Sequence, residues 1–427
     1  MGENVSVDDI AGLVREIAEG AQRAARQLAR LPTGAKNDAL MRMAAALEAE
    51  ETALITLNAR DTERARQNGL SSAMIDRLRL TPKRIADMAR GLREIAALPD
   101  PIGEVTRMWR RPNGLEIGRM RVPLGVIAFL YESRPNVTAD AAGLCLKSGN
   151  AVVLRGGSEA LQSNLALSEL LSKAAAAAGI PEEALQMIPI TDRRAIFELL
   201  KMEMCVDLVV ARGGEEFIRT VVEHSHIPVV KHDKGLCHTY IDDEADLAMA
   251  ARVAFNAKVQ RPSVCNAMET LLVHRQVAER FLPAFCDQLR AAGVEVRGCP
   301  DTRRIVPWAV EASESDWDTE YLDLILSIKV VADVDDALDH IARHSSKLAE
   351  SIITTNYLKA RRFLHEVDSA AVFVNASTRL TDGNEFGFGA ELGISTQKLH
   401  ARGPMGLESL TSLKYIVYGD GQVRESP

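Results

Sequence analysis

The 427-residue chain lacks any apolar stretch long enough to cross a bilayer, and residues 1–9 are polar and acidic, with no basic segment leading into an apolar run. Neither a membrane span nor a secretory signal is expected. An excess of basic residues is missing too: 51 Lys and Arg stand against 59 Asp and Glu, a formal net charge of −8. A general nucleic-acid binder needs a basic face to release counterions, so that class is not expected either. The balance still allows a local basic pocket for an anionic ligand. Cysteine is sparse, at Cys145, Cys205, Cys237, Cys265, Cys286 and Cys299, and no CxxC pair occurs. Zinc ribbons and dithiol motifs are therefore not indicated. Scattered free thiols fit a reducing cytoplasm, which is the expected location. Internal repeats and low-complexity tracts are absent.

What is present is an ordinary globular composition, 47% apolar and 26% charged, in a chain long enough for two or three domains. The first hundred residues carry helical spacing, as in Ile10, Leu13 and Ile17, or Leu40, Met43, Ala44 and Leu47. A further helix is expected after Thr81-Pro82. Residues 108–122 hold an Asn113-Gly114 pair between extended flanks, which predicts a hairpin arm. From Leu124 onward, short apolar strands alternate with helices, the pattern of an α/β protein with parallel sheets covered on both faces. Strands are expected at 126–130, 151–154, 208–210, 270–273, 325–331 and 351–354. Helices are expected at 139–147, from a Ser158 cap to about Ala178, and at 246–258, 277–292 and 334–342. Residues 375–406 are rich in Gly, Ser and Thr with little periodicity, and long irregular segments in compact enzymes are usually functional.

Two turns look suited to phosphate. Arg155-Gly156-Gly157-Ser158 and Arg212-Gly213-Gly214 each follow a strand and precede a helix, where glycines admit close approach and the helix offers unpaired N–H groups. Neither is a GxGxxG fingerprint, and either alone reads as an ordinary turn. Together, each with an arginine, they point to a nucleotide with an extra phosphate, hence NADP(H). Lys231-His232-Asp233-Lys234-Gly235-Leu236-Cys237-His238 reads as a cationic substrate loop or as a solvated loop with incidental charge. Its histidines lack zinc-ligand spacing, so no metal site is expected. Lys398, His400 and Arg402 suggest an anion site, a subunit contact or a charged loop. Cys265 follows Pro262 at a helix–strand junction, where a thiolate could be favoured. Taken by itself it reads, like the other five, as a small buried apolar residue.

The segments VPLGVIAFLYESRPNVTADAAGLCLKSGNAVVLRGGSEA, VVKHDKGLCHTYID, RPSVCNAMETLLVH, EYLDLILSIKVV and GAELGISTQKLHARGPMGLESLT, in this order, resemble the gamma-glutamyl phosphate reductase family, a proline-biosynthesis branch of the aldehyde dehydrogenase superfamily. The likeness runs from about residue 10 to about 420. It implies an aldehyde dehydrogenase-like α/β fold with two Rossmann-like parallel-sheet domains and a β oligomerisation arm. The NADP-binding domain would span 1–107 and 124–234, the catalytic domain 235–375, and the arm with the C-terminal segment 108–123 and 376–427.

The resemblance also implies an activity, NADPH-dependent reduction of L-glutamyl 5-phosphate to the semialdehyde with release of phosphate. Cys265 matches the nucleophile, Asn136 resembles the oxyanion donor, and Glu320 matches the glutamate that contacts the nicotinamide ribose. The turns at Arg155 to Ser158 and Arg212 to Gly214 fall where the superfamily holds the adenine nucleotide. Lys231, His232, Arg379, Lys398 and Arg402 are candidates for substrate or phosphate contact. A homo-oligomer and functional coupling to glutamate 5-kinase are implied as well. Hydrolytic aldehyde dehydrogenases carry a Glu upstream of the nucleophile as base for water. Here that position falls at His232, in a cationic run better suited to phosphate. Leu348 departs from the family, where many members carry His. A hydrolytic dehydrogenase and a non-catalytic scaffold of the same fold are the alternatives.

Overall fold

The computed structural model describes residues 7–132, 134–231 and 234–424. The chain forms two compact units, the first from residues 1–231, 388–393 and 405–427, the second from residues 232–387 and 394–404.

The first unit opens with helices Val7–Leu28, Thr33–Ala49, Glu51–Gln67, Ser72–Leu78 and Pro82–Ala97. On the first of them Ile10, Val14, Ile17, Ala21, Ala24 and Leu28 are buried, the three-and-four spacing of one helical face. Thr81 caps the last, its hydroxyl accepting the Arg84 N–H at 3.2 Å, with Pro82 in the first turn. Strands β1 (Val105–Arg110) and β2 (Glu116–Pro123) pair as the predicted hairpin. Its turn differs from the expected one. The Gly114 N–H donates to Arg111 O at 2.9 Å, and of the Asn113-Gly114 pair only Gly114 has positive φ, at 93°. Pro112 presets the second position of the turn, so the left-handed position falls to glycine alone.

Strands β3 (Val126–Tyr131), β4 (Ala151–Arg155), β5 (Leu185–Met187), β6 (Leu208–Arg212) and β7 (Val229–Val230) form a parallel sheet in the order β5-β4-β3-β6-β7. All of β3 and β4 is buried, which explains their unbroken apolar runs. The chain runs outward from β3 to β5, then returns to the other side of β3 for β6 and β7. This reversal makes the carboxyl ends of β3 and β6 the switch point of the sheet, the position at which open parallel sheets take ligands. The expected Ser158 cap is not formed. Ser158–Ala160 makes a 3-10 turn, and the α-helix proper is Leu161–Ala176, so Ser158 lies a full turn ahead of it.

The second unit is built on β8 (Cys237–Ile241), β9 (Met268–His274), β10 (Glu295–Gly298), β11 (Val310–Glu311), β12 (Ile325–Val331), β13 (Ala349–Ile353) and β14 (Ala371–Val374). They form one parallel sheet in the order β11-β10-β12-β9-β8-β13-β14. Leu271 and Val273 of β9 pack into a core with helices Leu247–Val259 and Arg275–Ala291. Leu272 turns the other way, into a core with Ile341 and Phe363 of helices Val334–His344 and Tyr357–Glu366. That is the period-two alternation of a strand covered on both faces. The irregular segment after β14 holds only a short antiparallel pair, β15 (Ile394–Ser395) with β16 (Gly403–Pro404), and brief 3-10 turns. In the first unit, β17 (Thr411–Tyr418) then joins β2, completing a β1-β2-β17 antiparallel sheet. Among the described residues no helix is long and apolar enough to cross a membrane.

One buried amide ties three parts of the first unit. Asn150 Oδ1 accepts the N–H of Gly125 at 2.8 Å, and its Nδ2 donates to Ser148 Oγ and to Leu410 O, each at 2.8 Å. Asn150→Leu keeps the branching and heavy-atom count but leaves the Gly125 N–H and the Leu410 carbonyl without their partner. It should lower unfolding stability by about 2–4 kcal/mol, read from urea denaturation midpoints.

Candidate active site

Cys265 stands half-buried in the loop between helix Leu247–Val259 and β9. Three neighbours hold this loop. A β-carbon on Gly235 would lie 2.5 Å from the Cys265 carbonyl carbon and closer still to its Cα and oxygen, so only glycine lets the two backbones meet. Cys237, the first residue of β8, donates its thiol to Cys265 O at 3.5 Å. Burial drives that thiol well above its ordinary range, with Glu350 adding to the effect, so it stays a neutral donor. On the far side Asn266 donates Nδ2 to Thr381 O at 2.8 Å, and its own carbonyl accepts from Thr378 Oγ1 at 2.9 Å.

The candidate cations divide into groups. Arg379 donates to Asn266 Oδ1 and, at 2.9 Å, to Gln260 Oε1, which places it beside the cysteine. Burial and then Arg261 lower its guanidinium, while Asp382, Cys265 and Cys237 act the other way. Lys398 and Arg402 converge on Asp368, at 2.7 and 2.9 Å, with Lys347 at 3.4 Å. Their hydrogen bonds hold the Asp368 carboxyl well below the usual range. Lys231 is half-buried after β7, and His232 lies outside the described residues. Two further residues of that run, Lys234 and His238, are engaged within the second unit. Lys234 donates to Asp318 O at 2.9 Å, and His238 is buried against Glu350 at 3.0 Å.

Glu320 lies in the segment leading to β12. Beside it is a fully buried ion pair, Lys258 with Glu269 at 2.6 Å. Desolvation raises the Glu269 carboxyl and lowers the Lys258 ammonium, with each partner opposing the other's shift. The charge of Glu320 acts on both.

In the first unit Asn136 is the first residue of helix Asn136–Lys147, and its Nδ2 donates to Asp140 Oδ2 at 3.4 Å. Desolvation raises the Asp140 carboxyl to about 6, against the pull of Asn136 and Arg212. The two glycine turns prove unequal. At the first, Arg155 donates to Gly156 O at 2.9 Å and to Thr191 O at 3.0 Å. Arg155 Nε and the nearby Asn164 Nδ2 are buried donors with no acceptor among the described residues, and the turn sits at the carboxyl end of β4. Such a turn fits an acceptor-rich group such as a nucleotide. A β-carbon on Gly156 would strike the buried Asn164 amide, one on Gly157 would meet only the movable carboxylate of Glu159, and Ser158 is exposed. At the second turn, Gly214 N–H already donates to Glu132 Oε2 at 2.8 Å, a β-carbon on Gly213 would strike Glu132, and Arg212 donates to Leu392 O. Glu215 and Glu216 add negative charge to the same helix start.

Sequence reasoning passed over Lys258, Glu269, Asn164, Glu132 and Gly235. Gly235 alone left a signal, as a glycine two residues before a strand inside a distinctive motif. The buried pair left none, because a Lys in the last turn of a helix reads as ordinary dipole complement.

Residues 9–304 match the family model described as the aldehyde dehydrogenase family. The chain is 61% identical over 412 residues to a gamma-glutamyl phosphate reductase of Moorella thermoacetica, covering 96% of this chain and 99% of the relative. It is 56% identical to the protein of that name from Geobacter metallireducens, covering 97% and 100%. The crystal structure of gamma-glutamyl phosphate reductase from Thermotoga maritima superposes with a TM-score of 0.95 at 47% identity, covering 96% of this chain and 100% of that one. The chain is thus an oxidoreductase that belongs to the aldehyde dehydrogenase family, in its gamma-glutamyl phosphate reductase branch.

Proposed function

We propose that the chain reduces L-glutamyl 5-phosphate to L-glutamate 5-semialdehyde with NADPH, releasing phosphate, through an acyl group carried on Cys265. Beyond the relatives' names, the observation that carries this reading is Arg379, fixed on Asn266 next to the half-exposed Cys265. A guanidinium there suits a phosphate leaving group.

The Cys265 thiolate attacks the carbonyl carbon of the acyl phosphate. A C–S bond forms, the C–O bond to phosphate breaks, and the departing phosphate takes a proton from solvent. Arg379 stabilises the leaving phosphate. Lys231, His232, Lys398 and Arg402 are the further candidates for phosphate or substrate carboxylate. Asn136 Nδ2, steadied by Asp140, and the Cys265 backbone N–H donate to the oxyanion. When bound, NADPH supplies a hydride to the thioester carbon. Collapse of the Cys265 hemithioacetal then frees the aldehyde and regenerates the thiolate. Arg155 to Ser158 would hold the adenine end, with Arg155 Nε and Asn164 Nδ2 as open donors. Arg212 to Gly214 would lie alongside, and Glu320 would contact the nicotinamide ribose. The arm β1-β2-β17 serves a homo-oligomer, and the enzyme works in the cytoplasm in functional coupling with glutamate 5-kinase.

With the semialdehyde and NADP+, reduction of NADP+ should require added phosphate, and the product should be the acyl phosphate. Phosphate-independent turnover to the free acid would assign the hydrolytic activity instead. Cys265→Ala should lower kcat on the order of 10³-fold or more. Gly235→Ala must push the Cys265 backbone aside. It should cut kcat about 100-fold while the KM for NADP+ stays within about twofold, because the displacement is at the nucleophile.

A further inference from the structure

The Lys258–Glu269 pair lies where two parts of the second unit meet. Lys258 is in the last turn of helix Leu247–Val259, and Glu269 is the second residue of β9, so the pair closes the base of the loop that carries Cys265. Both side chains are fully buried. Glu269 spends its second oxygen on a different segment: Oε1 accepts the N–H of Leu322 at 3.3 Å. Leu322 has φ of 54°, a left-handed conformation that a leucine adopts only when its surroundings impose it. The Lys258 ammonium lies over the Tyr321 ring, 5.9 Å from its centroid. Tyr321 is pinned at its other end, its hydroxyl 2.7 Å from both Asp316 Oδ1 and Ser327 Oγ. Thus the turn that follows Glu320 is shaped on one side by the ion pair and on the other by the Asp316–Ser327 anchor.

We propose that Lys258 and Glu269 are positioning residues that set the register of the Glu320 turn against the Cys265 loop, so that a cofactor contact and the nucleophile are held by one buried pair. The inference rests on the reading of Glu320 as the ribose contact. A buried ion pair is a weak source of stability, since apolar residues of similar volume often replace it without loss. What the apolar replacement cannot supply is the acceptor for Leu322 N–H, and this separates positioning from folding.

The test uses the full-length enzyme in the NADP+-reducing direction. Glu320→Gln alone should raise the KM for NADP+ about tenfold. The Lys258→Met/Glu269→Leu double variant should melt close to the native enzyme yet raise that KM by a similar factor, while iodoacetamide alkylates Cys265 within about threefold of the native rate. Adding Glu320→Gln to the double variant should then change the KM by less than about twofold, because the misplaced glutamate has little left to lose. Should the double variant fold poorly, Lys258→Met/Glu269→Met, which keeps both side-chain lengths and offers the Leu322 N–H no oxygen, gives the same KM comparison. A native KM in a stably folded pair variant, or effects of Glu320→Gln that multiply fully with it, would overturn the inference and leave the Glu320 reading standing. An unchanged KM in Glu320→Gln alone would remove that reading, and the inference with it.

Discussion

The nucleophile's place depends on one steric fact: the backbone at Gly235 lies against the backbone at Cys265 with no room for a β-carbon. Gly235 is two residues ahead of β8, a strand bonded on both sides, to β9 and β13. The cysteine loop therefore takes its position from the buried middle of a seven-stranded sheet rather than from its own sequence. The remaining contacts follow from that approach. Cys237 can reach the Cys265 carbonyl only because the chain passes so close, and Leu236 is fixed in turn, its N–H donating to Ser346 Oγ at 2.8 Å. An irregular loop is costly to hold unless its polar backbone groups find partners, and here the side chains of Cys237 and Thr378 meet the carbonyls of Cys265 and Asn266.

Charge is distributed with the same economy. The chain is acidic overall, and two of the candidate cations, Lys398 and Arg402, are cancelled locally by Asp368. Arg379 differs because it donates to neutral amides, those of Asn266 and Gln260. Two amide dipoles orient a guanidinium without neutralising it, and Arg261 adds to the positive potential while Asp382 moderates it. A guanidinium held by neutral amides beside a thiol is what a phosphorylated acyl substrate calls for.

The alternation of short apolar strands with helices was legible in the sequence, because a strand buried on both faces shows as an unbroken apolar run. Element ends were less so. Ser158 looks like a cap, but an intervening 3-10 turn separates it from the helix. Helix Asn136–Lys147 begins earlier than its apolar periodicity suggests, which puts Asn136 in its first turn. His238 reads as part of a cationic loop, yet strand alternation turns it inward onto Glu350. Leu348 lies far from Cys265 in sequence, but it belongs to the apolar cluster of Cys237, Ala349, Ala371 and Ile394 on which Cys265 packs. Where many family members carry a polar side chain, this chain places an apolar one close behind the nucleophile. Sequence distance hid that neighbourhood, since parallel pairing of β8 with β13 brings together residues more than a hundred apart.

The same limit appears at the two glycine turns, which share a strand–Arg–Gly–Gly–helix pattern and differ in electrostatics. A helix start offers unpaired N–H groups to whatever anion is nearest. At the turn after β6 that anion is built in: Glu132 accepts from Gly214, and Arg212 is drawn to the Leu392 carbonyl, with Gly393 leaving space for its guanidinium. A phosphate arriving there would have to displace a carboxylate. The turn after β4 has no such occupant at its buried donors, since Arg155 Nε and Asn164 Nδ2 lack acceptors among the described residues. An unmet buried donor carries a desolvation cost that a ligand acceptor would remove. The buried donors without acceptors thus lie at the Arg155 turn, while the arginine after β6 already donates to the Leu392 carbonyl of the irregular segment.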